Sequence, residues 1–212
     1  MPNFVREGHV AYENFNDAQL PRARFAWNQA GRAADLAVKA VRQFQLPANA
    51  QLISRWFGLT PATNPAHAAL LMQVQDKLGR LDNALRSNSI TLVYRPDIVV
   101  KTAPHDPSLA QQPVLLNDGT PFTGGNVYGY VHTHQAGSGY RIVMGRWFMD
   151  DPDQQEATQT LYHELTHKVI RTVDHCYGTQ ACRQLAQSTP AQACNNADNY
   201  GYFAKSMVAQ VL

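Results

Sequence analysis

One short segment combines the residue types and the spacing needed to hold a metal ion beside a proton-accepting carboxylate. It reads His163-Glu164-Leu165-Thr166-His167. Residues four apart lie on one face of an α-helix, one turn apart, so His163 and His167 can bind one zinc ion together. Glu164 then lies beside the metal, where it can take a proton from an attacking water and pass it to a leaving amine. The segment predicts zinc-dependent hydrolysis of an amide bond, with one Zn²⁺ per chain.

A catalytic zinc site has three protein ligands, and the two histidines supply only two of them. No glutamate follows the motif, and the position six residues after the second histidine, where another large zinc family has a third one, is Val173. Asp174 comes just after the expected end of the helix, so a short turn can bring it back to the metal. His175 is its main rival as the third ligand. The weaker candidates are Asp198, Cys176, Cys182 and Cys194.

Two further runs extend the pattern beyond the helix. The first reads Thr172-Val173-Asp174-His175-Cys176-Tyr177-Gly178, and the second reads Asn196-Ala197-Asp198-Asn199-Tyr200-Gly201-Tyr202-Phe203. Together with the motif they resemble the aspzincins, the deuterolysin and peptidyl-Lys metalloendopeptidase group, which is marked by HExxH, GTxDxxYG and NADNxEYF. Trp56-Phe57-Gly58 resembles a further landmark of that family. The resemblance is strong over about 142–206 and weaker over about 45–100.

The resemblance implies a role for five side chains. It implies that His163, His167 and Asp174 are the zinc ligands and that Glu164 is the general base and acid. It also implies that Tyr177 directs its hydroxyl at the oxyanion of the tetrahedral intermediate, where a fixed donor stabilises the developing charge.

The chain departs from the family pattern at two positions. Arg171 stands where the family usually has glycine, so the turn into the third ligand is expected to differ. Lysine-specific members pair the aspartate of NADN with a glutamate three residues later, whereas this chain keeps Asp198 and has Gly201 in place of the glutamate. With one acid and more space in the pocket, we expect a mild preference for basic residues after the scissile bond. Asp198 is equally a candidate N-cap of the last helix.

Periodicity and turn residues predict the elements that position these groups. The predicted helices cover 17–45, 66–87, 154–171 and 199–211, and the predicted strands cover 90–94, 98–100, 127–134 and 140–148, the last two as a hairpin. By analogy with zincins, which lay an extended substrate along a sheet edge, the strand at 126–134 is the candidate edge. His132 and His134 share one face of that strand.

Composition and length favour a single globular domain. The 212 residues are 44% hydrophobic and 16% charged, which suits a folded enzyme. We predict an α+β, zincin-like metalloprotease fold over 1–212, with a mainly helical N-terminal part (1–88) and a second part (89–212) that contains a small mixed sheet, the active-site helix and a C-terminal helix. A net charge of +2 gives no reason to expect nucleic acid as a partner, and no apolar run approaches the ~20 residues of a membrane span.

The function expected from the sequence is that of a zinc metalloendopeptidase acting on protein or peptide substrates. One alternative is a catalytically inactive, zinc-stabilised binding module, against which Glu164 argues, because a structural site has no use for that carboxylate. Another is an amidase that cuts cell-wall peptides with the same chemistry. The first ten residues lack the apolar segment of a secretory signal. We therefore expect a cytoplasmic protein, a protein secreted by a signal-free route, or a sequence from which a leading segment has been removed. Family analogy suggests a toxin or effector for the second case.

Overall fold

The computed structural model describes residues 3–61, 63–96, 114–115, 121–122, 129–131 and 140–209. The helices in these residues are α1 (Leu20–Arg42), α2 (Pro47–Phe57), α3 (Pro65–Ser87), α4 (Arg146–Asp150), α5 (Gln154–Ile170), α6 (Thr179–Ser188), α7 (Pro190–Ala193) and α8 (Ala197–Ala209). The strands are β1 (Phe4–Glu7), β2 (Val10–Glu13), β3 (Ile90–Tyr94), β4 (Val114–Leu115), β5 (Pro121–Phe122), β6 (Gly129–Val131) and β7 (Tyr140–Met144). The predicted α+β class, with a mainly helical N-terminal part and a small sheet, is confirmed.

The main sheet is mixed and has the order β1-β2-β3-β7-β6. Strands β2, β3 and β7 run parallel to one another, whereas β1 and β6 are antiparallel to their neighbours. Strands β4 and β5 pair separately. Within the described residues β6 is therefore an edge strand, and it pairs antiparallel with β7, as the predicted hairpin requires.

The long helix α1 contacts α3, α5 and α8. Its buried residues are mostly small, which lets neighbouring helices approach closely. They are Leu20, Ala23, Ala26, Ala30, Ala33, Ala34, Ala37, Val38, Ala40 and Val41. Among the described helices, none combines the length and apolar character that a membrane span requires.

Helix α5 begins where the sequence predicts and is enclosed on nearly every side. The Asp153 carboxylate accepts a hydrogen bond from the backbone N–H of Gln155 at 2.8 Å and so caps the helix. All residues from Ala157 to His167 are buried, against α1, α3 and α8 and against strands β6 and β7. A helix enclosed in this way holds its polar side chains at fixed positions inside the protein.

The landmark near residue 57 packs the N-terminal half of the chain onto α8. Trp56 stacks on Tyr202 with ring centroids 5.3 Å apart, and its indole donates to the Ser206 hydroxyl at 3.0 Å. Phe57 meets the ring of Phe203 edge-on at 5.1 Å. These contacts place α2 against the helix that carries Asp198.

Several elements differ from the sequence predictions. The strand predicted over 140–148 ends at Met144, and α4 follows it. The helix predicted over 17–45 ends at Arg42, and Pro47 begins a further helix, α2, that was not predicted. Strand β2 is completed by parallel pairing with β3, a long-range contact that local periodicity does not indicate. The predicted strand at 98–100, and His132 and His134, lie outside the described residues.

Candidate metal centre

A left-handed turn at the end of α5 brings the chain back to the metal-binding motif. Arg171 has φ 57° and ψ 43°, a conformation that favours glycine. The backbone N–H groups of Arg171 and Thr172 both point to the carbonyl of Thr166. The turn therefore forms with arginine at the position where the aspzincins usually have glycine, and it returns Asp174 to the helix.

Three ligand atoms converge at this turn. The Nε2 atoms of His163 and His167 lie 3.0 Å apart. Asp174 Oδ1 lies 3.4 Å from the first and 3.2 Å from the second. Among the described residues, these three side chains are the group able to hold a metal ion, and His175 and the three cysteines do not belong to it.

The three distances fit zinc. Ligand atoms bound at about 2.0–2.1 Å in a tetrahedral arrangement lie about 3.3 Å apart, close to the edges of this triangle. Asp174 Oδ1 is buried, and among the described residues it has no partner with hydrogen-bond geometry. Such an orphaned carboxylate oxygen is expected where a cation, and not a hydrogen-bond donor, completes its surroundings.

Each histidine is oriented through its other ring nitrogen. His163 Nδ1 lies 2.7 Å from Asp198 Oδ1, and His167 Nδ1 lies 2.9 Å from the carbonyl oxygen of Thr172. Both partners only accept, so both imidazoles must donate from Nδ1. The Nε2 lone pairs are thereby directed at the point between the three ligand atoms, which is the arrangement that metal-binding histidines require.

Asp198 is bound on all sides by donors of the protein. Oδ1 also accepts from Gln159 Nε2 at 2.8 Å, and Oδ2 accepts from the backbone N–H of Gly178 at 2.7 Å. The residue is 5% exposed. In the structure it therefore orients His163, and the substrate-binding role expected from the sequence stays a prediction. Gln159 was not singled out by the sequence analysis, although it lies on the motif face of α5, one turn before His163.

The added space expected from the sequence beside Gly201 is occupied by Gln159. A Cβ atom added there would lie 2.9 Å from Gln159 Nε2 and 3.1 Å from the Gln159 carbonyl oxygen. Both distances are shorter than an ordinary van der Waals contact. Gly201 thus lets α8 approach α5 closely, and its predicted role in substrate binding stays a prediction.

The two predicted catalytic side chains lie at the same centre. Glu164 is buried, and its Oε1 lies 3.9 Å from His163 Nε2. The Tyr177 ring stacks on the His163 ring at a centroid distance of 5.9 Å. Strand β6 passes over Glu164, since a Cβ atom at Gly129 would lie 3.1 Å from Glu164 Cγ.

The charges of the centre favour a cation. Burial opposes protonation of His163, but the hydrogen bond and charge of Asp198 outweigh it and raise the pKa to about 10. Burial also opposes the charged form of Asp174, yet the two histidines and Tyr177 lower its pKa to about 2. Burial raises the pKa of Glu164. A divalent ion held by the three ligand atoms supplies the positive charge that this arrangement stabilises.

The loop from Val173 to Cys176 is held by one buried amide. Val173 forms an isolated parallel bridge with Asn196. Asn196 Oδ1 accepts from the backbone N–H groups of His175 and Cys176 at 2.7 and 3.2 Å. The first residue of the NADN segment therefore shapes the loop that carries Asp174, a role that the resemblance did not indicate.

Comparison with known proteins agrees with this geometry. The profile of the aspzincin family, described as lysine-specific metallo-endopeptidase, matches residues 45–205, about three quarters of the chain. The chain belongs to the aspzincin family. Membership implies a zinc cofactor.

Individual relatives match this aspzincin over shorter stretches. It is 39% identical over 90 residues (42% of the chain) to a peptidyl-Lys metalloendopeptidase of Armillaria mellea and 35% identical over 80 residues (36% of the chain) to one of Pleurotus ostreatus. It is also 35% identical over 83 residues (37% of the chain) to an extracellular protease of Aeromonas hydrophila. These alignments cover 25%, 48% and 23% of the relatives, so the chain spans at most about half of their length.

A solved structure shares the fold. The zinc peptidase from Grifola frondosa superposes with a TM-score of 0.56 at 18% sequence identity, covering 92% of this chain and 99% of that one. The metalloprotease-like fold predicted from the sequence is therefore confirmed.

Proposed function

We propose that this aspzincin is a zinc-dependent endopeptidase, with one zinc ion per chain held by His163, His167 and Asp174. The triangle formed by two Nε2 atoms and Oδ1, beside the buried Glu164, carries the proposal. A structural zinc site closes its coordination with a fourth protein ligand. Among the described residues, no fourth histidine, cysteine, aspartate or glutamate joins these three. Within these residues a fourth position is left for water or substrate, which supports catalysis over the binding module.

Glu164 moves the proton in the proposed reaction. Zinc held by the three ligands supplies a Lewis acid that makes water a better nucleophile at neutral pH. Glu164 accepts the proton of the attacking water and delivers it to the amine that leaves. Burial raises the pKa of this carboxyl, which brings it closer to the pH at which it must both accept and donate.

Tyr177 supplies a donor for the charge that develops on the carbonyl oxygen. Its position against the His163 ring fixes it at the edge of the centre. Burial and the charge of Asp174 raise the pKa of Tyr177, so the phenol stays protonated at neutral pH. A fixed, protonated donor in a buried site stabilises an oxyanion more than water does.

Strand β6, an edge of the sheet within the described residues, is the proposed place for an extended substrate. Within the described residues, β6 pairs on one side with β7, and its backbone passes over Glu164. A peptide added along this strand by backbone hydrogen bonding would bring its scissile bond to the carboxylate.

The hydrogen bonds that Asp198 already accepts weaken its expected attraction for a basic residue of the substrate. Its charge remains within the centre, but its two oxygens accept from His163, Gln159 and Gly178. A carboxylate that is already hydrogen-bonded attracts a lysine ammonium weakly, so we propose a mild preference and not strict selection. Release as a toxin or effector by a signal-free route stays a prediction.

Cleavage of an unstructured protein such as casein tests the proposal. Products are mapped by mass spectrometry with zinc, with a chelator, and after zinc is added back. We expect internal peptide-bond cleavage that stops with chelator and returns with zinc. Cleavage of cell-wall peptides alone would favour the amidase, and zinc binding without any cleavage would favour the binding module.

A further inference from the structure

Two cysteine sulfurs lie next to each other beside the metal centre. Cys176 is half-buried in the loop between Asp174 and Tyr177, and Cys182 is fully buried in α6. Their Sγ atoms are 3.6 Å apart. The third cysteine, Cys194, is 2% exposed and lies after α7. The odd number of cysteines therefore resolves into one adjacent pair and one separate buried thiol.

The pair is held in place by the amide that shapes the loop. Asn196 Nδ2 lies 3.6 Å from both sulfurs and donates to the carbonyl of Cys176 at 3.2 Å. Asn196 Oδ1 accepts from the backbone N–H of Cys176. On the other side, the carbonyl of Cys182 accepts from Asn199 Nδ2 at 3.0 Å. The backbones of both cysteines are thus anchored to Asn196, just before α8, and Asn199, in its first turn, which keeps the two sulfurs together.

We propose that Cys176 and Cys182 form an intramolecular disulfide when the protein meets a small-molecule disulfide oxidant. Cys176, the more exposed of the two, attacks one sulfur of the oxidant and releases its other half as a thiol. Cys182 then attacks the Cys176 sulfur and releases the second half as a thiol. Two electrons and two protons pass to the oxidant, and the sulfurs close from 3.6 Å to about 2.05 Å.

The bond would clamp the loop that carries two groups of the centre. Asp174 lies two residues before Cys176 and Tyr177 lies one residue after it. A bond from Cys176 to α6 therefore restricts the movement of the loop at Asp174 and at Tyr177. A cross-link that closes a short ring restrains the unfolded chain modestly, and we expect a rise in Tm of roughly 4–8 °C. The bond depends on the fold of this segment and not on whether the protein cleaves peptides.

Trypsin mapping of the zinc-loaded full chain identifies the pair. After treatment with oxidised glutathione and blocking of free thiols, cleavage after Arg171 and Arg183 places Cys176 and Cys182 in one peptide, and Cys194 in the next. We expect the peptide 172–183 to be unalkylated and about 2 Da lighter than its reduced form. A peptide 172–183 in which Cys176 and Cys182 both carry the blocking group would overturn the proposal. A disulfide that joins this peptide to the one containing Cys194 would overturn it as well.

Variants separate the pair from the third thiol. Cys176→Ser should lose the oxidant-dependent rise in Tm, and Cys182→Ser should lose it as well. Cys194→Ser, the matched control, should keep the full rise. If Cys182→Ser does not fold, the half-buried Cys176→Ser still decides the question. A rise in Tm that persists in Cys176→Ser, or disappears in Cys194→Ser, contradicts the assignment.

Discussion

The Oδ1 atom of Asp198, in the last described helix, lies 2.7 Å from Nδ1 of His163 in the helix that carries the metal-binding motif. Helices α5 and α8 pack along each other, and Gln159 and the N–H of Gly178 also donate to this carboxylate. The orientation of one proposed ligand therefore depends on a residue 35 positions further along the chain.

Asp198→Asn should weaken zinc binding. Asparagine has one acceptor oxygen and no charge, so the three donors can no longer all be satisfied. Loss of an outer hydrogen bond to a ligating histidine raises the zinc Kd by about 10–100-fold. Competition with a fluorescent chelator measures it. If Asp198 acts on substrate alone, the zinc Kd stays unchanged and only the cleavage of basic sites falls.

Gly201→Ala should destabilise the protein. The added methyl lies 2.9 Å from Gln159 Nε2, so the side chain or the helix must shift, at a cost of about 1–3 kcal/mol. Gly31→Ala is the matched control, because its added methyl meets nothing within 4 Å in α1. It should stabilise by roughly 0.5–1 kcal/mol. Urea unfolding compares the two, and an equal effect of both substitutions would contradict the close packing of α8 on α5.

Arg171→Gly should stabilise the protein by about 0.5–1 kcal/mol, because glycine adopts the left-handed conformation without steric strain. Arg171→Ala separates backbone from side chain: it keeps the Cβ and should leave the stability close to that of the wild type. Thermal unfolding with zinc present measures both. An increase in Arg171→Ala as large as in Arg171→Gly would assign the effect to the arginine side chain.

Zinc affinity should rise steeply between about pH 7 and pH 8. Burial disfavours the charged form of His163, but Asp198 outweighs it and raises the pKa to about 10, so zinc must displace a proton throughout this range. Each displaced proton makes the zinc Kd fall about tenfold per pH unit. An imidazole with an ordinary pKa near 6.5 would give almost no slope there. A flat profile in chelator-competition titrations would contradict the raised pKa.

Local patterns in the sequence were sufficient to predict the helix of the metal centre. The spacing of His163 and His167, the cap at Asp153 and the apolar positions between them all act within a few turns of one helix. Asp174 required the resemblance, because elimination left His175 as a rival. In the structure the ligand atoms of His163, His167 and Asp174 converge, and His175 does not belong to this group.

Long-range contacts account for what the sequence did not predict. Gln159 and Asp198 meet because α8 packs against α5, and strand β2, which pairs antiparallel with β1, joins the rest of the sheet through β3. The role of Gly201 likewise depends on the other helix: from the sequence it indicates added space, whereas in the structure Gln159 fills that space.

The central claim is that Glu164 is the proton acceptor of a catalytic zinc site. Its most direct test is Glu164→Gln, assayed for bound zinc and for casein cleavage. The control is Glu156→Gln in the same helix, where the Glu156 side chain pairs with Lys205. We predict that Glu164→Gln keeps its zinc and loses about 100- to 10,000-fold in kcat, while the control stays within about twofold of wild type. Wild-type cleavage by zinc-loaded Glu164→Gln would contradict the mechanism.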